Sequence, residues 1–162
     1  MDKQELQQYI DKYKKYLLES VEWWQKYSPD TKHGGFYNYL GRDGKVLFTD
    51  KNVRQQGRDV LLFARAYNEI EPRKEWLDLA LQGIAFIEKY CFDDRDGRTY
   101  YDVTEDGRPV RKRRYVVTEH YVIMGYVALY KATKDPIWKE KAEKLYKTVM
   151  MYYYNPELLP PK

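Results

Sequence analysis

The stretch Gly35-Phe36-Tyr37-Asn38-Tyr39-Leu40-Gly41-Arg42-Asp43-Gly44-Lys45 is echoed by Thr99-Tyr100-Tyr101-Asp102-Val103-Thr104-Glu105-Asp106-Gly107-Arg108, which sets Gly107 on Gly44 at a spacing of 63 residues. Downstream, Tyr126 falls on Phe63 and Tyr130 on Tyr67. After a slip of one residue, Trp138 falls on Trp76, Ala142 on Ala80 and Tyr152 on Tyr90. A fixed period of this size describes stacked supersecondary units, each unable to bury its apolar face alone.

The flanks of the repeat give its elements. Leu6, Ile10, Tyr13, Leu17, Val21 and Trp24 recur at three- and four-residue steps, so residues 2–27 are expected to form a helix with one apolar stripe. Ser28-Pro29-Asp30 ends it. The stretch 36–48, with Asp43-Gly44 at its centre, reads as a short hairpin, and a second follows with Asp106-Gly107 at its turn. Gln55–Ile70 and Val117–Thr133 are apolar nearly all round and should be buried helices. Pro72 and Asp135-Pro136 mark the starts of two further helices. One carries Trp76, Leu79, Ala80, Gly83, Ile84, Ile87 and Tyr90; the other runs from Ile137 to about Tyr154. Asp93-Asp94-Arg95-Asp96-Gly97 breaks the first, and Asn155-Pro156 stops the second.

Five helices that alternate between amphipathic and nearly all-apolar are expected to lie outer, inner, outer, inner, outer. That is the order of an all-α toroid of helix pairs, with hairpin-like loops before each inner helix. Loops on a rigid scaffold commonly carry function, so the cleft is expected at that end. A tetratricopeptide-type superhelix has a period of about 34 residues with short turns, which fits this spacing poorly. A closed ring of six pairs needs roughly 370 residues at this period. Residues 1–162 are therefore expected to be a single, incomplete domain, and Leu158-Leu159-Pro160-Pro161-Lys162 reads as a connection cut mid-path.

Composition narrows the function. The charge of +4 comes from 29 basic and 25 acidic residues mixed along the chain, so nucleic acid is not the expected partner. Arg111-Lys112-Arg113-Arg114 is the densest basic run and reads as a loop edge or a contact to further protein. No apolar run approaches 20 residues, so no membrane partner is expected, and Met1-Asp2-Lys3-Gln4-Glu5 lacks a signal-peptide core. The single Cys91 rules out an internal disulfide, suits a cytoplasmic location and reads as a small core residue. No set of cysteines and histidines suggests a metal, and no cofactor is expected. The 18 tyrosines suit helix packing and also the lining of a carbohydrate cleft.

Several ordered motifs resemble the N-terminal part of the N-acylglucosamine 2-epimerase family. They are Ser28-Pro29-Asp30-Thr31, His33-Gly34-Gly35-Phe36, Asp43-Gly44-Lys45, Asp50-Lys51-Asn52-Val53 and Gln56-Gly57-Arg58. Arg114-Tyr115-Val116, Glu119, Ala128-Leu129-Tyr130-Lys131-Ala132-Thr133, Asp135-Pro136, Asn155-Pro156-Glu157 and Pro160-Pro161-Lys162 continue the match across nearly the whole chain. The resemblance implies an (α/α)6 barrel that interconverts N-acetylglucosamine and N-acetylmannosamine. The proton alpha to the open-chain carbonyl leaves and returns on the other face, which needs two bases and a cation or donor for the enediolate oxygen.

In the family the two histidine bases lie in the second half of the barrel. Neither His33 nor His120 matches them, so this chain alone is expected to be inactive, with no catalytic residue of its own. His33 reads as a loop hydrogen-bonder. The resemblance gives Arg58 as a cleft arginine whose fork holds sugar or enediolate oxygens. The repeat supports this independently, because Arg58 falls opposite Tyr121 and a position where repeats differ is freer to be functional. A structural ion pair of Arg58 with Asp59 or Glu119 is the competing reading. Tyr115 sits where the family places an aromatic hydroxyl. Glu119 matches a family acidic position and is expected to support the site by pairing with Arg58 or Arg114. At Arg54 related sugar isomerases tend to have a tryptophan. A carbohydrate-binding module or a helical interaction scaffold without catalysis is the alternative function. The partners expected are a sugar and, at the open ends of the ring, a second copy or the missing half of the barrel.

Overall fold

Two inner helices, α2 (Val53–Glu69) and α4 (Val116–Thr133), pack against each other in the computed structural model, which describes residues 2–158. The connection expected at 158–162 lies almost wholly outside the described residues. Three outer helices complete the array: α1 (Lys3–Tyr27), α3 (Lys74–Tyr90) and α5 (Pro136–Tyr154). α3 packs on α2 and α5 on α4, giving the outer–inner order read from the alternating patterns. A 3-10 turn, Pro156–Leu158, follows α5.

Local chemistry sets the boundaries. Asp2, Asn52 and Asp135 cap α1, α2 and α5 by accepting the backbone N–H groups of Glu5, Gln55 and Ile137, and Pro136 opens α5. Such side chains satisfy donors that the first turn leaves free. Between α2 and α4 the backbones approach closely at Gly57, where a Cβ would lie 3.0 Å from Tyr121 C and Val122 N. Phe36 stacks on Phe63 at 5.5 Å, and Tyr126, the repeat counterpart of Phe63, stacks on Trp138 at 6.1 Å. Trp76 is fully buried and donates its indole N–H to Gln25.

The loops hold short antiparallel strands. β1 (Tyr39–Leu40) and β2 (Val46–Phe48) form the first hairpin around Gly44. β4 (Phe92–Asp93) pairs with β5 (Arg98–Thr99) across the Asp-rich turn. β6 (Asp102–Val103) and β7 (Pro109–Arg111) form the second repeat hairpin. β3 (Lys51–Asn52), just before α2, pairs with β6 and joins the loops of both repeats in one sheet. Sequence alone did not show this link, because the paired residues are about 50 positions apart.

Two expectations need correction. Only Val21 of the α1 stripe is fully buried; Leu6, Ile10, Tyr13 and Leu17 stand exposed. At 25 residues α1 is roughly 12 Å longer than the 17-residue α2, at 1.5 Å per residue, so its first turns overhang. Nor are the inner helices buried all round: Val116, Val117 and Val127 of α4 are exposed, and Leu61 and Leu62 of α2 are half-buried. Each inner helix turns one flank away from its neighbours.

Candidate functional site

At the loop end, a polar framework that repeats every 63 residues holds α2 and α4. Lys51 is fully buried and donates to Asp30 Oδ2 (2.7 Å), Gly34 O (2.7 Å) and Glu105 O (2.9 Å), so all three ammonium protons are used. Its counterpart Arg114 donates to Asp93 (2.6 Å), the counterpart of Asp30, and to Asp96 (2.8 Å). Burial pushes the Asp30 carboxyl up, but Lys51 and the backbone N–H groups of His33 and Lys32 outweigh it and hold the group below its usual range. Hydrogen bonds from Arg95 and Arg114 hold Asp93 lower still, against the opposing effect of burial.

One turn into each inner helix, a second repeated contact binds loop to helix. Gln56 Oε1 accepts the N–H of Phe36 (2.9 Å), and its Nε2 donates to Phe36 O (2.7 Å). Its counterpart Glu119 accepts the N–H of Thr99 (3.3 Å). Both Gln56 and Glu119 are fully buried. Where the first repeat has Gly35, the second has Arg98, whose guanidinium grips Glu119 with two bonds of 3.0 Å. The expected partner of Glu119 was Arg58 or Arg114; the structure gives Arg98 instead. Arg98 reaches Glu119 from the strand beside it, while Arg114 is committed to Asp93 and Asp96.

Arg58 is exposed on α2, with its guanidinium 4.9 Å above the ring of Tyr121 on α4. The competing ion pair is absent: among the described residues no carboxylate oxygen lies within 4.0 Å of it. Repeat counterparts therefore meet face to face across the inner helices, and both border a groove of about 460 Å³ that also exposes Leu17, Leu61 and Leu62. Arg54, one turn earlier on α2, is half-buried, and its Nε is buried without an acceptor.

Tyr115 occupies the position before the first turn of α4 and is half-buried. Its ring tilts against Tyr101 at 4.8 Å, and Arg113 lies 5.1 Å above it. The carbonyl of Tyr101 accepts the N–H of Val53 at the start of α2 (2.9 Å). The Tyr101–Tyr115 pair thus connects the first turns of the two inner helices. Arg58 and Tyr115 lie at the loop end of neighbouring helices, whereas Glu119 is turned into the framework beneath.

Asp59, which sequence reasoning did not single out beyond a possible pair with Arg58, is buried and accepts from Gln55 (2.9 Å) and Asn38 (3.3 Å). Burial pushes its carboxyl up to about 8; the Gln55 bond and the Arg58 charge oppose this only in part. Its repeat counterpart is the apolar Val122, which is the one signal that could have marked it. His33 uses its backbone N–H on Asp30 (3.0 Å), and His120 is exposed, edge-on to Tyr121 at 5.8 Å. Cys91 is buried with its thiol pushed up by burial, as a core residue should be. In the basic run, Arg114 and Arg111 are paired with loop carboxylates, and Lys112 and Arg113 are exposed.

The family model for N-acylglucosamine 2-epimerase (GlcNAc 2-epimerase) matches residues 34–158. The mouse N-acylglucosamine 2-epimerase is 36% identical over 125 residues, covering 75% of this chain and 30% of the relative. A cellobiose 2-epimerase of Dictyoglomus turgidum is 26% identical over 80% of this chain and 33% of its own length. Among solved structures, a sugar epimerase from a ruminal bacterium superposes with a TM-score of 0.72 at 26% identity, over 79% of this chain and 33% of its own. The chain spans about a third of the length of the proteins it matches.

Proposed function

The chain belongs to the N-acylglucosamine 2-epimerase family, and we propose that it forms one wall of a sugar 2-epimerase that interconverts N-acetylglucosamine and N-acetylmannosamine. Proton removal and return at C2 of the open-chain sugar is the reaction. In this reading Arg58 holds a sugar or enediolate oxygen with its planar fork, and the Tyr115 hydroxyl contacts the sugar. Glu119 supports the wall from beneath through Arg98.

One observation carries the reading. Arg58 stands exposed at the loop end of an inner helix, flattened on Tyr121 and without a carboxylate partner, within the segment the family model matches. In this reading its guanidinium donors, which have no carboxylate partner among the described residues, serve a ligand. The higher identity to the amino-sugar enzyme than to the cellobiose enzyme favours the N-acylated sugar as substrate.

Alone, the chain is proposed to bind sugar without turning it over. The reaction needs bases on both faces of C2; His33 and His120 sit on different elements, one in the first loop and one on an exposed flank of α4. The exposed flanks of α1, α2 and α4 are proposed to meet further protein, either a second copy or the remainder of a barrel. The test is calorimetric titration with N-acetylmannosamine, together with an epimerisation assay. Binding lost in Arg58→Ala, without turnover, is expected. Turnover by this chain would overturn its proposed inactivity. Unchanged binding in Arg58→Ala would overturn the role given to Arg58, and no binding of the sugar by the unaltered chain would favour a helical interaction scaffold instead.

A further inference from the structure

α1 carries more helix than the repeat requires. Lys74 and Pro136, the first residues of α3 and α5, both fall on Asp11 of α1 in the repeat, so residues 3–10 have no counterpart in either of the other outer helices. At 1.5 Å per residue this extension adds roughly 12 Å. An outer helix of the length of α3 or α5, laid beside α1 as the repeat sets it, stops short of the extension.

The extension is apolar on one side and uncovered. Leu6 is 44% exposed, Tyr9 44% and Ile10 39%, and the line continues through Tyr13 at 63% and Leu17 at 46%. Leu6, Ile10, Tyr13 and Leu17 follow a 4-3-4 spacing, the narrow seam of a helix pair. α1 has five lysines against four acidic residues, too even a balance to favour an anionic membrane.

The 4-3-4 spacing reads the same from both ends, and a two-fold contact between identical chains needs such self-complementarity. Laid antiparallel, two copies of α1 set Leu6 on Leu17 and Ile10 on Tyr13 of the second copy, each pair twice. Beside the seam Gln7 meets Lys14 and Tyr9 meets Tyr16, so no like charges face each other. The direction follows from packing further along α1. Val21 is buried, and Leu18 and Trp24 pack on the core, so the second half of the helix is occupied by its own domain. A parallel pair would crowd both domains at one end, whereas an antiparallel pair sets them at opposite ends.

We propose that a second copy of this chain covers the seam, its α1 lying antiparallel to the first and centred between Ile10 and Tyr13. The proposal rests on the reading that the exposed flanks meet further protein, and deepens it by naming the occupant and its direction. With Tyr16 included, the exposed side chains present roughly 500 Å² per copy, on a scale of about 150–250 Å² for a whole aromatic side chain. That lies below the ~800 Å² per partner of a standard interface, so the dimer is reversible and depends on concentration.

The test is sedimentation velocity over a range of concentrations, with disulfide trapping and vesicle flotation. It uses the unaltered chain, Ile10→Lys and, as a control on the opposite side of α1, Asp11→Asn, after thermal melts confirm that each folds. A monomer–dimer equilibrium is expected, lost in Ile10→Lys and kept in Asp11→Asn. For trapping, Gln7→Cys and Lys14→Cys chains are oxidised separately and as a mixture; Cys91 is buried and does not compete. The mixed disulfide should exceed either homodisulfide at least fivefold. A mixed disulfide no more abundant than the homodisulfides would overturn the antiparallel direction. Association that survives Ile10→Lys would overturn the α1 pairing and leave the other flanks as the contact between copies. A monomer at every concentration would overturn the dimer and leave further protein of a different kind as the occupant of the flanks. Capture of the unaltered chain, but not Ile10→Lys, by neutral or anionic phospholipid vesicles in place of a dimer would assign the seam to a membrane and overturn the proposal.

Discussion

The ring of Tyr27, the last residue of α1, lies against the α-carbon of Gly44 and fills the space a side chain there would need. Sixty-three residues on, Tyr90 at the end of α3 does the same to Gly107. Lys26 and Lys89 each sit 4.8 Å above their tyrosine. The hairpin turn is thus clamped to the end of the outer helix before it, twice, by the same three residue types.

Gly44→Ala is expected to cost about 3 kcal/mol, combining a backbone angle of +83° with overpacking against Tyr27. Gly97→Ala, which has a similar angle of +66° but would meet only an ordinary contact with Thr148 at 3.8 Å, should cost only about 1 kcal/mol. Urea unfolding of the two variants checks this, and equal losses would show that the ring contact is unimportant.

Glu119→Ala leaves Arg98 buried and unpaired, so a loss of about 3–5 kcal/mol is expected. The double variant Arg98→Met, Glu119→Leu should be less damaged than either single change, because no charge is then stranded. A double-mutant cycle by denaturant melts measures the coupling; additive losses would contradict the pairing.

Asp59 gives a pH signature of defined sign. Its folded carboxyl is raised to about 8, so between about pH 4 and pH 8 the folded state holds a proton that the unfolded state has lost. Stability should fall across that window by a few kcal/mol, and level off above it. Asp59→Asn should flatten that part of the profile and raise the melting temperature at pH 8. A wild-type profile without this fall would disprove the raised value.

Gly57→Val should cost about 2–3 kcal/mol, because the branched side chain must enter where the α4 backbone at Tyr121 and Val122 already touches. Thermal melts measure the loss. By shifting Tyr121 it should also weaken sugar binding, although Gly57 itself faces α4 rather than the groove. Wild-type stability would show that the two helices can separate at no cost.

The exposed stripe of α1 is expected to drive self-association in the isolated chain. Ile10→Lys with Leu17→Lys should shift sedimentation towards monomer with little change in melting temperature, since both residues are already exposed. A monodisperse wild-type monomer would count against this.

Much of the fold was legible because the repeat and helical periodicity are local or evenly spaced signals. The turn glycines, the Asp-Pro start of α5 and the five helices followed from them, whereas Pro72 lies before the Arg73 cap of α3 rather than in its first turn. The pairs Asp30–Lys51 and Asp93–Arg114 keep the same 63-residue offset, yet Lys and Arg are different letters and neither pair was seen. The site was legible only in part. Arg58 was marked by its unlike counterpart Tyr121, but nothing showed that the two would stack. Glu119 was assigned to the wrong arginine, because its true partner Arg98 replaces a glycine of the first repeat.

The sequence by itself determined the period, the helices and the kind of residue at each turn, since these depend on neighbours within a few positions of the chain. Tertiary structure decided which charges cancel. Whether an arginine is a strut, like Arg98, or stands without a carboxylate, like Arg58, depends on which carboxylates the packed loops bring within the 4.0 Å of an ion pair, where good geometry and further hydrogen bonds can offset desolvation. That distance is set by strands and helices far apart in the chain, and so by the fold rather than by the order of residues.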